Sequence, residues 1–513
     1  MWHDKANNVV VYDLPPADGQ KVLGTVPGAK ALHNGFVAAP ANLYNLQLLR
    51  YLGFPVIAPM EQGYDWPGRY VPFTAQRVTS NFLAVHPRAF VLSDMGTGKT
   101  LSALWAADFV MRQYPSLKCL IVAPLSTLQR VWADAVFNNF VGKRRAVVVH
   151  GDAKKRSELL AMDADFYIVN FDGLGVIAKE LVDRSDIRMA IVDEASAYRD
   201  RTTKRHKLAR HLLATKDFLW MMTGTPTPNG PLDAYGMAKL VNNAHGESYM
   251  GYRDRTMQKI SLYKWLPKAG ATAEAYKLLT PAVRFAIEDC VDLPPITVQQ
   301  RDVELSPAQN KAYKEMKRDL VIMMKSGEPV TAANEAVLRM KLIQIACGAV
   351  YAGKDRQVHT FDASPRIAAL REVIEQCNEK IIIFAPLTSV LHLLQRELKD
   401  YSTRIVNGEV SQKERSEIFR AFQQDRDPRI LIADPGTMAH GLTLVAATTV
   451  VWYAPTDKTE LYLQANKRIH RPGQTNACTI VQLASTSIER EIYRRLEANE
   501  SLQGLILKMA REQ

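Results

Sequence analysis

The feature that most restricts the fold of this chain is a rhythm. From residue 89 onward, short apolar runs rich in β-branched side chains alternate with stretches whose apolar residues recur at helical spacing. Strands are expected at 89–92, 118–123, 146–150, 166–170, 189–192 and 218–222, with helices at 99–113, 126–140 and 204–214. Runs that are apolar throughout belong to strands buried on both faces, and strands alternating with helices give a parallel sheet covered on each side. Right-handed crossovers then leave a doubly wound α/β domain whose ligand lies at the carboxyl ends of the strands. The rhythm stops near residue 240 and resumes with strands at 380–384, 403–406, 429–433, 448–453 and 478–483 and helices at 388–398, 412–423, 459–469 and 487–499. A chain of 513 residues exceeds what one core usually serves. The expected architecture is therefore two tandem doubly wound parallel-sheet lobes, 63–240 and 346–513, with a small N-terminal accessory module, 1–62, and a largely helical inter-lobe region, 241–345.

Composition narrows the class rather than the fold. Apolar residues at 47% and charged residues at 23% are those of an ordinary globular protein. Lys and Arg outnumber Asp and Glu by 65 to 53, a net charge of +12, which suits a polyanionic partner such as nucleic acid or serves solubility alone. The five cysteines, Cys119, Cys290, Cys347, Cys377 and Cys478, form no C-x-x-C pair, so neither a disulfide framework nor a structural zinc site is expected, and a reducing cytoplasm fits. Met1-Trp2-His3-Asp4-Lys5 has no secretory pattern, and the most apolar run, 381–394, is interrupted by Pro386, Thr388, Ser389 and His392 and is too short to span a bilayer. A soluble cytoplasmic protein without membrane contact is expected.

The chemistry sits where strands end. Strand 89–92 runs into Ser93-Asp94-Met95-Gly96-Thr97-Gly98-Lys99-Thr100 and then a helix. Two glycines let the backbone close on an anion, the helix start aims amide hydrogens at it, Lys99 adds a point charge, and the Thr100 hydroxyl can ligate magnesium. This reads as a phosphate-binding loop, although the strict pattern has glycine where Ser93 stands. Strand 189–192 delivers Asp193-Glu194-Ala195-Ser196 to the same sheet edge. One carboxylate there can hold magnesium through water while the next orients and deprotonates an attacking water; the plainer reading, a helix cap, loses ground beside a Gly-Lys-Thr loop. Strand 218–222 delivers Thr223-Gly224-Thr225-Pro226-Thr227-Pro228-Asn229, either a relay of small hydroxyls or a plain turn.

Taken together, these three segments resemble motifs I, II and III of superfamily 2 helicases, specifically the Swi/Snf type of ATP-dependent DNA translocase. Ile382-Ile383-Phe384 resembles motif IV, and Gln464-Ala465-Asn466-Lys467-Arg468-Ile469-His470-Arg471-Pro472-Gly473-Gln474 resembles motif VI. Asp292-Leu293-Pro294-Pro295 and Leu305-Ser306-Pro307-Ala308-Gln309 through Tyr313 look like the inter-lobe signature, and the likeness covers roughly 66–500, in a compact form closer to bacterial or phage members. The resemblance implies two RecA-like lobes with ATP and Mg2+ between them. It implies that Met95, Gly96, Thr97, Gly98, Lys99 and Thr100 hold phosphates, that Thr100 and Asp193 hold the metal, and that Glu194 activates water. It implies further that Gln76 contacts adenine, that Gly441 borders the nucleotide, and that Arg468 and Arg471, one helical turn apart, reach the γ-phosphate, with Arg471 as the finger. Thr223 and Gln464 are the implied coupling residues, and Ser126, Thr127, Asn170, Thr225 and Thr443 the implied contacts to DNA phosphates. Two basic runs, 143–145 with 154–156 and 199–210, either extend that track or are solvated helix faces.

Departures from the family pattern are Ser93-Asp94 for the usual Asp-Glu, Ser196 ending the acidic box in place of His, Lys467 where an acid is common, a glycine-poor motif V at 434–441, and Asp457 where tryptophan is expected. None removes a phosphate, metal, base or finger group; they bear on how DNA engagement is coupled to hydrolysis. The function expected is a monomeric ATPase that tracks along double-stranded DNA. The alternatives are a strand-separating or annealing helicase and, from another class, a catalytically degenerate DNA-binding scaffold.

Overall fold

In the computed structural model the described residues are 1–33, 35–260, 265–325, 332–352, 357–438, 443–456 and 458–498, with backbone alone for 317–325, 332–339, 351–352 and 357. The chain divides after Cys290 into two units.

The first unit is built on seven strands, every neighbouring pair parallel. Their order across the sheet is Ala282–Val283, Arg88–Val91, Phe218–Met222, Ile187–Asp193, Lys118–Ala123, Phe166–Asn170 and Ala146–Val148. Central residues such as Phe90, Leu120, Ile121, Ala190, Ile191 and Trp220 are wholly buried, as expected of strands covered on both faces. Register decides where the loops leave: Met222 lies beside Val91 on one side and Asp193 on the other. Three strands thus end level, and the segments that follow them emerge together at one edge.

Ahead of this sheet, an antiparallel four-stranded sheet in the order Trp2–Asp4, Val9–Tyr12, Val37–Pro40, Lys30–Ala31 packs with helices Pro16–Thr25 and Leu43–Tyr51. Its core joins Val10, Tyr12, Val22, Leu46 and Leu49 to Val85, the last residue of helix Thr74–Val85.

The second unit carries six parallel strands in the order Ile296–Asp302, Cys478–Ala484, Ala447–Trp452, Lys380–Phe384, Ile430–Ala433 and Thr403–Val406. Ile381, Ile382, Ile383 and Phe384 are fully buried at its centre. Two RecA-like parallel-sheet lobes are therefore present, as the alternating pattern predicts. Among the described residues no helix is long and apolar enough to cross a membrane.

The differences from expectation lie where local pattern is weakest. The region 241–345 holds helices Tyr249–Thr256, Ala271–Leu278, Pro307–Lys325 and Ala332–Cys347, yet it also gives an edge strand to each sheet. Ala282–Val283 is too short to register as a run, and Ile296–Asp302 is largely exposed and mostly polar, as edge strands are. The helix expected over 126–140 is a 3-10 turn, Leu125–Thr127, a π segment, Leu128–Ala133, and a short α-helix, Asp134–Asn139. The helix expected to reach 469 stops at Asn466.

A buried ion pair organises the second unit. Arg366 and Glu489 are both essentially inaccessible, and Arg366 Nη2 donates to Glu489 Oε1 at 2.8 Å and to the Leu483 carbonyl at 2.9 Å. Glu489 Oε2 accepts from the Ser485 and Thr486 amides at 2.9 and 3.0 Å, so both charges are saturated with partners. Removing one member of such a pair leaves the other charge buried and uncompensated. Glu489→Ala is expected to destabilise the second unit by about 3–5 kcal/mol, measured as the shift of its urea unfolding transition.

Candidate active site

The phosphate loop begins where Arg88–Val91 ends and closes on helix Lys99–Gln113. Gly96 and Gly98 have φ of +90° and +78°, a region that disfavours other residues. At Gly98 space adds to conformation, because a Cβ there would run into the Gln76 side chain. Gln76 is buried, accepts from the Phe73 amide at 2.9 Å and donates to the Gly98 carbonyl at 3.4 Å. The glutamine therefore braces the turn of the loop directly. Thr97 Oγ1 donates to the Asp94 carbonyl at 2.9 Å, and Lys99 Nζ donates to the carbonyls of Ser93 and Asp94 at 2.8 and 2.7 Å. Met95 is buried, and Thr100 is half-buried in the first turn of the helix.

Asp193 is the last residue of its strand, and its two carboxylate oxygens have separate partners. Trp132 Nε1 donates to Oδ2 at 3.0 Å, and the Glu194 amide donates to Oδ1 at 3.1 Å. Burial pushes the Asp193 pKa above the ordinary carboxylate range, while the Trp132 hydrogen bond and the positive charge of Lys99 pull it back down. Lys99 and Asp193 thus act on one another in one site. Glu194 adopts φ +51° and ψ +54°, a left-handed conformation worth about 1–3 kcal/mol of strain for such a residue. The kink turns the chain out of the strand immediately after Asp193. Trp132 was not marked by any motif; its only sequence signal is that a buried indole N–H needs an acceptor.

The 223–225 segment lies against the loop. The Thr223 amide donates to the Val91 carbonyl at 3.0 Å, Thr223 Oγ1 accepts from the Thr225 amide at 3.1 Å, and a Cβ at Gly224 would stand 3.5 Å from the Met95 nitrogen. An ammonium, a helix-start hydroxyl, a positive-φ glycine turn with no room for a side chain, and a buried carboxylate under the lysine's field form a donor set that fits a nucleotide triphosphate and a divalent ion.

Among the implied DNA contacts the structure separates two groups. Ser126 is exposed, and Asn170, half-buried, ends a strand paired to Ala123, so both lie at the same sheet edge. Asn170 Oδ1 also accepts from both terminal nitrogens of Arg156, at 3.3 and 3.2 Å. Thr127 and Thr225 are both about 3% exposed. Thr127 Oγ1 turns inward to donate to the Pro124 carbonyl at 2.8 Å, closing the 3-10 turn and leaving Leu125 and Ser126 outside. Thr225 is enclosed beside the loop, so neither hydroxyl is presented to a polymer. In the basic run 143–145, Arg144 bonds Asp108 and Asp165 at 2.7 and 3.0 Å and Lys143 bonds Asp65 at 2.7 Å, while Arg145 is exposed.

In the second unit, Arg468 and Arg471 do not share a helix face. The helix ends at Asn466, and the turn that follows leads into Pro472, which disfavours helical conformation at Arg471, and Gly473 at φ +98°. Arg468 is buried, and its carbonyl accepts from the Leu444 amide at 3.0 Å. Arg471 is half-buried and donates from Nη1 to Thr443 Oγ1, exposed, at 3.3 Å. Gln464 is buried and reaches Glu460 Oε1 at 3.4 Å. Gly441 and Asp457 lie outside the described residues.

A family model, the SNF2-related domain, matches residues 82–348, just over half of the 513-residue chain. This chain belongs to the SNF2-related family. The helicase conserved C-terminal domain matches residues 365–473, so both halves of a superfamily 2 motor core are accounted for. An uncharacterised ATP-dependent helicase of Mycoplasma genitalium is 24% identical over 413 residues, 78% of this chain and 38% of that protein. The SWI/SNF-related matrix-associated actin-dependent regulator of chromatin subfamily A-like protein 1 of Xenopus tropicalis is 24% identical over 81% of this chain and 42% of its own. The chain thus spans about two fifths of these SNF2 relatives. Protein p41 of Acyrthosiphon pisum secondary endosymbiont phage 1 is 25% identical over 86% of this chain and 98% of its own length. The SWI2/SNF2 ATPase core of Sulfolobus solfataricus in complex with dsDNA aligns over 86% of this chain and 94% of that one, at 20% identity and a TM-score of 0.41.

A carboxyl whose native pKa is raised binds more protons folded than unfolded, so its contribution to stability falls as pH rises through the interval between the two values. Asp193→Asn abolishes that loss. The variant is expected to unfold at a higher midpoint than the wild type at pH 8, with the gain shrinking as the pH falls toward the ordinary carboxylate range, as followed by thermal unfolding without nucleotide across pH.

Proposed function

We propose that this SNF2-family protein hydrolyses ATP to ADP and phosphate to move along double-stranded DNA, which it holds mainly by the phosphate backbone. The observation that carries the nucleotide half is the level ending of three parallel strands, which sets the phosphate loop, Asp193 and Thr223 at one edge, with the Lys99 charge acting on the Asp193 carboxylate. Lys99 and the loop amides bind the phosphates, Gln76 lies on the adenine side, and Glu194 orients the attacking water and takes its proton. Thr100 and Asp193 would hold a magnesium ion, which when bound supplies neutralisation of the phosphoryl charge. Arg471, half-buried where Arg468 is enclosed, is the arginine assigned to the transition state.

The duplex half rests on family membership together with exposed Ser126 and Thr443 and half-buried Asn170, whose polar groups suit phosphates. Thr223 and Gln464 are assigned to coupling. Backbone-dominated binding loses affinity steeply with salt and discriminates little between sequences.

Two measurements test these assignments. Lys99→Ala and Glu194→Gln are each expected to abolish ATP turnover with the fold intact by circular dichroism, and Arg471→Ala to lower it by about 10³- to 10⁵-fold; turnover retained in any of them refutes that residue's role. ATP turnover is expected to rise with duplex DNA. Stimulation by single strands or RNA with none from duplex would instead establish a strand-separating enzyme, and the absence of any hydrolysis a scaffold.

A further inference from the structure

Ser93 occupies the position where the strict phosphate-loop pattern has glycine, and its side chain has a partner 192 residues downstream. The Phe285 amide donates to Ser93 Oγ at 3.0 Å. The next residue of the loop completes a clamp, because the Asp94 amide donates to the Phe285 carbonyl at 2.9 Å. One residue earlier, the Leu92 amide donates to the Val283 carbonyl at 2.9 Å, continuing the pairing in which Val283 lies beside Val91. Both polar backbone groups of Phe285 are therefore held by residues 93 and 94, one of them through a hydroxyl that glycine or alanine could not supply.

The geometry of one peptide gives this clamp a function. The Ser93 carbonyl and the Asp94 N–H belong to the same planar unit, which can turn only as a whole. Lys99 Nζ holds the carbonyl end at 2.8 Å, and Phe285 holds the amide end. A second Lys99 bond, to the Asp94 carbonyl at 2.7 Å, fixes the following peptide. A phosphate anion competes for the same ammonium. When it draws Lys99 away, the 93–94 peptide loses its Lys99 restraint at the carbonyl end, and a turn of the planar unit is carried through the Asp94 amide to Phe285. Residues 285–290 run from there through the 3-10 turn Ile287–Asp289 to Cys290, after which the second unit begins.

We propose that Ser93 is a positioning residue that locks Phe285 to the 93–94 peptide, so that nucleotide at Lys99 is transmitted to residues 283–290 and to the chain entering the second unit. The proposal rests on the nucleotide site assigned above. It also gives the departure from the glycine pattern a purpose: the hydroxyl at position 93 serves the chain leading out of the unit, while Gly96 and Gly98 shape the loop.

Hydrogen–deuterium exchange on the full chain, with and without Mg·ADP or a non-hydrolysable ATP analogue, tests it. In the wild type, nucleotide should protect 93–100 and alter exchange across 283–290. In Ser93→Ala, exchange at the Phe285 amide should be about fivefold faster without nucleotide, as the loss of one hydrogen bond implies. Protection of 93–100 should persist while the response of 283–290 disappears, and Ser93→Thr should restore it. A merely structural hydroxyl would change the basal exchange and leave the nucleotide response in place. The proposal is overturned if 93–100 is protected and 283–290 does not respond in the wild type, or if Ser93→Ala responds as the wild type does. Failure of nucleotide to protect 93–100 at all would instead overturn the nucleotide site itself, and the proposal with it.

Discussion

The pairing register of three parallel strands governs the first unit. Val91, Met222 and Asp193 stand side by side, so the phosphate loop, the 223–225 segment and the acidic pair leave the sheet at one level. In a sheet buried on both faces, a slip of one residue would turn Asp193 to the opposite face and carry its carboxylate away from Lys99 and Trp132. Register here is held by packing: Phe90, Ala190, Ile191, Trp220 and Met221 are fully enclosed and differ in bulk, so only one alignment fills the two layers. The site's polar groups begin where that apolar packing ends.

The large-scale fold was legible in the sequence because continuous apolar runs of four to seven residues have few homes other than a covered parallel sheet. Strands Lys118–Ala123, Phe166–Asn170, Phe218–Met222, Lys380–Phe384 and Thr403–Val406 have the expected bounds. What stayed hidden depends on partners remote in sequence. Ala282–Val283 is a strand because Phe90 and Val91 lie beside it. Ile296–Asp302 is one because Cys478–Ala484 pairs with it over seven residues. At the site, the loop glycines and the acidic pair could be read from spacing alone. The Trp132 donor, the inward turn of Thr127 and the enclosure of Thr225 and Arg468 could not, because motif position says which residue is present and not which way it faces.

The basic residues show the same distinction between count and placement. A net charge of +12 invites a picture of a surface ready for polyanions. Several of the arginines are interior fixtures. Arg366 ties helix Ser364–Gln376 to Glu489 and the Leu483 carbonyl, Arg156 bonds the Val149 and Gly151 carbonyls and Asn170, and Arg144 bridges Asp108 and Asp165. Guanidinium suits this work because its planar set of donors can satisfy several carbonyls at once while carboxylates balance its charge. Arginines so placed brace the unit each belongs to, and at Arg366 and Arg144 carboxylates at contact range balance the charge.

Helix Thr74–Val85 has one end in each of two structures. Its first turn carries Gln76, braced against Gly98, and its last residue, Val85, is part of the core of the small antiparallel sheet. Twelve residues of helix make a rod about 18 Å long. The small sheet is thus the socket in which the far end of this rod is seated, and the near end sets the height of the glycine turn. A load that rocks the socket would be felt at the loop as a displacement of Gln76, without any change in the residues that surround the phosphates.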